Sequence, residues 1–477
     1  MNAGDLVLLS PLLILSGTAV VVMLVAAFWR SHGLAAALTF AGLATALVST
    51  ALVWPDAPRP IAPLLVVDRY ALFYTGLILA AALAVVPLSH SYLADRENTR
   101  REEYYLLLLL ATAGAVVLAS SVHFASFFLG LELLSVSLYA LIAYSRASPA
   151  GIEAGVKYLI LAGASSAFLL FGMALVYAET GALAFSRLAE ASAGGQAFGI
   201  GALAGVCLIV VGIGFKLSLV PFHGWAPDVY QGAPAPVTAF VATVSKGAVF
   251  AVLLRFFTAM DVHKHEALVA VFATIAVVSM FAGNWLALRQ DNVKRLLAYS
   301  SIAHMGYLLV AFLASGPWAA RAVAFYLTAY FVTTLGAFGV VSILSSRSRE
   351  AESIKDYRGL AWRRPWEAGV FALMLLSLAG IPLTAGFVGK FFVLAAGVKS
   401  SLWALVAILV VNSVIGLFYY LRLMTAMFRA ADGVPVAETV PRPVVASVAL
   451  AVLAAALLCL GLYPAPALRL IQAIAGE

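Results

Sequence analysis

Charge is what this sequence has least of. Only 11% of its 477 residues are Asp, Glu, Lys or Arg, while 64% are hydrophobic. Soluble domains run near half apolar with about a quarter charged, so a water-facing globular surface is excluded. The surplus of apolar side chains, a mean hydropathy of +1.02, has to face lipid. Cysteine is nearly missing too. Cys207 and Cys459 both sit inside apolar runs and offer no C-x-x-C, no iron–sulfur spacing and no zinc site. No Lys/Arg patch alternates with aromatics, so the net charge of +7 does not point to nucleic acid. The start, MNAGDL, lacks the positive residues that precede the apolar stretch of a secretory signal. The first basic residue is Arg30, and a retained first span is expected.

What the chain has in place of charge is long apolar runs. A spanning helix needs about 20 such residues to cross a hydrocarbon core about 30 Å thick. The runs place spans at 7–28, 33–54, 70–93, 104–120, 123–145, 155–178, 197–220, 236–259, 267–288, 295–315, 319–345, 367–397, 402–428 and 443–463. The expectation is an all-α membrane protein with about fourteen transmembrane helices. With the N-terminus outside, inward loops hold about 16 Lys or Arg residues against about 7 in outward segments, the bias that orients helices in a membrane. Arg96, Arg100, Arg101, Arg347, Arg349 and Arg442 are among the inward set. Both termini are therefore expected on the periplasmic side.

Two runs are too long for one straight helix. From Ala197 to Gly232 the chain is largely apolar for about 36 residues, or ~54 Å of helix, with Pro221 inside. From Trp366 to Val398 a second run contains Gly380-Ile381-Pro382. Proline lacks the N–H and clashes with the carbonyl four residues back, here that of Leu217 or Leu378. Backbone freed in this way survives at membrane depth only against protein or a wet cavity. Helices seven and twelve are thus expected to be discontinuous. They lie five apart, and an odd offset reverses the direction of crossing, which is how inverted repeats arise. Val244-Ser245-Lys246 with Arg255 lines up with Val411-Asn412-Ser413 with Arg422, and Tyr139–Ala143 with Tyr307–Ala311. The expected plan is 1–103 (helices one to three), 104–259 and 260–428 (two inverted five-helix repeats, helices four to eight and nine to thirteen) and 429–477 (helix fourteen).

The scarce charges stand where lipid would exclude them. Glu132, Lys216, Lys246, His304 and Lys390 each sit within an apolar helix or beside a helix break. Insertion scales put such a residue at about 2.5–3.5 kcal/mol for Lys or Asp at a helix centre, and residues of this kind usually face the bundle interior. An amine removed from water holds its proton less tightly, and a nearby carboxylate restores that hold. An amine between the two influences can load and release a proton. Three lysines, a histidine and a glutamate at similar depth are read as a relay parallel to the membrane, bridged by water. Plainer readings stand beside this one. Glu132 and Lys216 could be a structural ion pair, and His304 a core histidine. Lys157 and Arg255, near helix ends, could snorkel to the interface, with a proton-path role for Lys157 as the alternative. Gly201-Ala-Leu-Ala-Gly205 reads as close helix packing. The basic run 347–364 reads as an inward loop facing solvent or a partner.

Two longer motifs then carry a family resemblance. GFKLSLVPFHGWAPDVYQGAPAPVTAFVATVSKGAVFAVLLR and RQDNVKRLLAYSSIAHMGYLLV resemble the core signatures of the antiporter-like membrane subunits of respiratory complex I and of multisubunit cation/proton antiporters. The resemblance covers essentially the whole chain. Within the family it points to the N type of NADH–quinone oxidoreductase, since M-type subunits typically carry glutamate where Lys390 stands. The chain ends at Glu477 without the lateral helix of the L type. The resemblance implies that Glu132 and Lys216 form the helix-five/helix-seven pair, Lys246 the central lysine, His304 the helix-ten relay and Lys390 the exit. It also implies no cofactor in this chain, with NADH, FMN, iron–sulfur clusters and quinone bound by other subunits. The implied partners are other membrane-arm subunits, lipid and protons, in a bacterial inner membrane. A subunit of a Na+/H+ antiporter is the alternative, and a passive assembly scaffold a third reading.

Overall fold

The structure, a computed structural model, describes residues 3–61, 63–94, 96, 101–193, 199–314, 316–346, 349–429 and 443–474. Arg100, Arg347 and Arg442, counted above among the inward loops, lie outside them. Among the described residues, twelve helices are long and apolar enough to cross a membrane. Two broken helices complete the expected fourteen, and the chain is a multi-pass membrane protein. The crossings run Ser10–Phe28, His32–Leu52, Arg69–Ala94, Glu102–Ser120, Phe124–Ile142, Pro149–Thr180, Ile200–Lys216 with Trp225–Gly232, Ala235–Ala259, Glu266–Leu288, Val293–Leu313, Pro317–Leu344, Pro365–Ala379 with Ala385–Lys399, Trp403–Phe428 and Val444–Leu462. They are numbered one to fourteen below.

Local chemistry fixes many of the ends. Ser148 accepts from the Gly151 N–H and Pro149 opens crossing six, while Gly181, at φ 65°, closes it in the left-handed conformation. Asn292 caps crossing ten through the Arg295 N–H at 3.0 Å. His123 caps crossing five with Nδ1 accepting from the Ala125 N–H at 3.1 Å. The Gly201–Gly205 motif does mark tight packing. A Cβ on Gly205 would lie 2.6 Å from the Gly172 carbonyl of crossing six, and one on Gly172 2.5 Å from the Gly205 carbonyl.

The connections sort by parity. A short hairpin, Arg59–Ile61 with Leu65–Val67, follows crossing two. Leu65 bridges to Ser121 and His123 to Ala184, so the connections after crossings two, four and six meet at one end. At the other end, residues after crossings three, five, seven, nine and eleven line one cleft. This alternation is what an up-and-down course requires, and it gathers the basic connections together at one end. The basic run does not simply face solvent. Ser353 bridges to Asn292, and the Ile354 N–H donates to the Asp291 carbonyl at 2.9 Å, so the loop folds back over the start of crossing ten.

The seventh and twelfth crossings are interrupted as expected, and five crossings apart they run in opposite senses. In the seventh, the helix already ends at Lys216, ahead of Pro221, and Ser218 turns the chain away at φ 59°. The loosened backbone finds protein partners. The Trp225 indole N–H donates to the Phe215 carbonyl at 2.8 Å, and the Val220 N–H donates to Ser279 Oγ at 3.0 Å. In the twelfth, Gly380 ends the first half at φ 83°, with the Ile381 N–H reaching back to the Leu376 carbonyl. This is the six-to-one bond of a glycine-terminated helix. The buried core is continuous across both five-helix groups. The second half of crossing seven packs on crossing ten, and the start of crossing eight on crossing eleven.

Candidate functional site

Lys216, Lys246, His304 and Lys390 are 2%, 1%, 4% and 7% exposed, so all four point into the protein and not into acyl chains. Glu132 is half-buried. Each side chain reaches a hydroxyl or a freed carbonyl, as membrane-depth polar groups must.

Lys216 ends the first half of crossing seven. Its Nζ donates to Ser135 Oγ of crossing five at 2.7 Å, 5.2 Å from the Tyr158 ring centroid. Ser135 in turn donates to the carbonyl one turn back, that of Leu131. Glu132 does not ion-pair with Lys216. Its carboxylate accepts from Ser166 of crossing six. In place of a direct ion pair, each charge is held by a hydroxyl of a neighbouring crossing, Glu132 by Ser166 and Lys216 by Ser135, three residues after Glu132.

Lys246 follows a π-helical turn, Val241–Ser245, in crossing eight. Such wide turns are found frequently at functional sites. Its Nζ donates to Ser301 Oγ of crossing ten at 2.7 Å, and Ser301 shares a 2.6 Å hydrogen bond with the Tyr330 hydroxyl of crossing eleven. His304 lies one turn further along crossing ten. Its Nδ1 is 2.8 Å from the Tyr326 hydroxyl and its Nε2 3.2 Å from that of Tyr420, which also bonds Ser300. Both ring nitrogens of His304 thus contact a hydroxyl, a group that can donate or accept a hydrogen bond.

Lys390 begins the second turn after the break in crossing twelve. It donates to the carbonyls of Leu378 at 3.0 Å and Ala379 at 2.9 Å, and to Ser413 Oγ at 2.8 Å. The Leu378 carbonyl is the group that Pro382 frees. His304 and Lys390 line one small cavity with Tyr326, Tyr330, Thr333 and Ser377. Ser413 is the residue that the repeat alignment set opposite Lys246, and it holds the Lys390 amine.

Several polar neighbours were not among the expected site residues. Asn284, Asn412, Tyr307 and Tyr419 form a second buried network across crossings nine, ten and thirteen. Asn284 donates to Asn412 Oδ1 at 3.1 Å and to the Tyr307 hydroxyl at 3.0 Å, and it accepts from Tyr419 at 2.9 Å. The two cations near helix ends are both ion-paired. Lys157, still partly exposed, pairs with Glu153 at 2.7 Å and with Asp228 at 3.0 Å. Arg295 reaches the other oxygen of Asp228 at 2.7 Å. Arg255 grips Asp68 with two bonds of 2.8 Å, with its guanidinium 4.5 Å from the Tyr70 ring centroid. The half-helix breaks at Pro221, Gly380 and Pro382 are thus occupied by side chains of the site or of its immediate surroundings.

Comparison with known proteins places this arrangement among relatives. The family described as NADH:quinone oxidoreductase/Mrp antiporter, transmembrane, matches residues 121–416. NADH-quinone oxidoreductase subunit N of Methylococcus capsulatus is 51% identical over 98% of this chain and 94% of its own length. A chain in the structure of respiratory complex I from Thermus thermophilus with bound aureothin aligns with a TM-score of 0.83 at 35% identity, over 97% of this chain and 99% of that one. A chain of the Mrp complex from Dietzia shares the fold, with a TM-score of 0.87 at 21% identity over 100% and 97%.

Proposed function

The chain belongs to the family of NADH:quinone oxidoreductase and Mrp antiporter membrane subunits, and from that premise we propose that it translocates protons within a membrane-bound NADH:quinone oxidoreductase. The proton path runs through Glu132, Lys216, Lys246, His304 and Lys390. The single observation that carries this reading is the hydroxyl partner of every amine in the series: Ser135 for Lys216, Ser301 for Lys246 and Ser413 for Lys390. Ionisable groups at membrane depth commonly pair with opposite charges or with backbone carbonyls. Groups held by hydroxyls can instead lose a proton without leaving a bare anion beside them.

The two five-helix groups, 104–259 and 260–428, each supply one broken helix and so one half of the path. The first half runs from Glu132 and Lys216 to Lys246. The second runs from His304 to Lys390. Lys157 belongs with Asp228 and Arg295, at the edge of the path. The basic connections face the cytoplasm and both termini the periplasm. Redox cofactors and quinone belong to other subunits, and neighbouring membrane-arm subunits are the partners. The 51% relative, itself a subunit N of an NADH-quinone oxidoreductase, supports this reading over a Na+/H+ antiporter.

The test is replacement of Lys216 or Lys246 by Ala in the assembled complex, reconstituted into vesicles and driven by NADH. Proton release per assembled complex should fall severalfold or more. Unchanged stoichiometry and rate in both variants would sink the relay.

A further inference from the structure

The basic-loop end holds a cleft of about 1530 Å3, and one of its walls leads to a buried amine outside the five relay residues. Glu350 lines this cleft and retains 13% of its side-chain exposure. Behind it lies Lys294, in the first turn of crossing ten, with a side chain that is 0% exposed. The Lys294 ammonium is hydrogen-bonded to Glu350 Oε2 and donates to the Ala233 carbonyl at 2.6 Å. Glu350 Oε1 accepts from the Tyr92 hydroxyl and lies 3.6 Å from Arg96. One carboxylate therefore serves two cations. When Lys294 gives up its proton, Glu350 is left paired with Arg96, so no charge is stranded.

Resting on the relay reading above, we propose that Glu350 and Lys294 are the proton uptake pair, drawing from the cleft and passing protons inward to Lys246. Polar groups continue from the pair in that direction. Thr238 Oγ1 lies 3.5 Å from the same Ala233 carbonyl and 3.2 Å from the Tyr230 carbonyl. The Tyr230 hydroxyl is 3.4 Å from Ser301 Oγ, which receives Lys246. Lys294 and Ser301 stand seven residues apart on crossing ten, on one face and ~10 Å along the axis. That gap is about three hydrogen-bond lengths of water. In the transfer, the Lys294 ammonium gives H+ to the interior chain and becomes an amine. Glu350 takes H+ from hydronium in the cleft and becomes a carboxylic acid. The acid proton then crosses the hydrogen bond to Lys294, which restores both groups. One proton has moved inward and the pair is unchanged.

The experiment uses the whole complex in vesicles, with NADH-driven proton release measured per assembled complex. Lys294→Arg keeps the positive charge and the ion pair but does not deprotonate. It should lower proton release to the level of Lys246→Ala. Glu350→Gln, which still accepts from Tyr92 but takes up no proton, should do the same, and Glu350→Asp should restore most of the rate. Wild-type release in Lys294→Arg, with release lost in Lys246→Ala, would overturn the uptake pair and leave the relay standing. Undiminished release in Lys246→Ala would remove the relay, and the uptake pair with it. If Glu350→Gln fails to assemble, Lys294→Arg alone decides the matter.

Discussion

Lys390 holds the carbonyl of Leu378 at 3.0 Å, across the break that Pro382 makes in its own crossing. The residue is thus both a titratable group and the partner of a backbone acceptor with no helical donor. A buried acceptor left unsatisfied costs about 1–3 kcal/mol, and Lys390 satisfies two of them. Lys246 satisfies none. Lys390→Met should therefore lower the apparent Tm of the detergent-solubilised complex more than Lys246→Met does. Equal shifts would mean that the carbonyls find water instead.

Gly380→Ala attacks the same break from the other side. Gly380 sits at φ 83°, and a Cβ there would come within 2.8 Å of Lys390 Cδ. The left-handed conformation alone disfavours Ala by about 1–2 kcal/mol, and the contact pushes the lysine off its carbonyls. We expect a loss of both thermal stability and proton release. A variant with full proton release would show that Lys390 need not occupy this position.

Arg255→Lys should destabilise the end of crossing eight by about 1–2 kcal/mol, because an ammonium cannot reproduce the two-pronged grip on Asp68. Asp68 also caps crossing three through the Ala71 N–H at 2.7 Å. The expected readout is a lower apparent Tm with near-normal proton release per assembled complex. A collapse of release at unchanged Tm would assign Arg255 to the path.

His123 gives a pH-dependent prediction. It caps crossing five only while Nδ1 is unprotonated, and burial lowers its pKa from 6.5. A group with a depressed folded-state pKa that must stay neutral stabilises fully above the unfolded value. That contribution is lost as pH falls through the folded value. His123→Asn keeps a capping oxygen that does not titrate. Between pH 7.5 and about 5 the wild type should lose more thermal stability than this variant. Parallel Tm curves would rule the cap out as the sensitive group.

The charged part of the site was legible in the sequence because each member violates the rule that lipid-depth helices carry no charge. The same holds for the broken helices, announced by Pro221 and by Gly380 with Pro382. The partners were not legible. Ser135 and Thr333 bond the carbonyl four residues back in their own helices, which makes them look like ordinary helical hydroxyls. Tyr326, Tyr330 and Tyr420 look like core aromatics. Lys294 looks like a loop charge in the sequence, because it stands at a helix start beside Arg295. Only the return of the loop over crossing ten buries it, and such a long-range closure leaves no periodic trace in the sequence. The helix end at Lys216, ahead of Pro221, depends likewise on Trp225 and Ser279, residues remote from one another along the chain.

The wide turn at Val241–Ser245 makes the aim of the Lys246 amine a matter of register. A helix advances about 100° for each residue, so drawing that turn in to ordinary pitch would swing the side chain more than a quarter circle away from Ser301. The Lys246–Ser301 bond, one of the ties between the two halves of the molecule, thereby hangs on a single surplus residue in one coil.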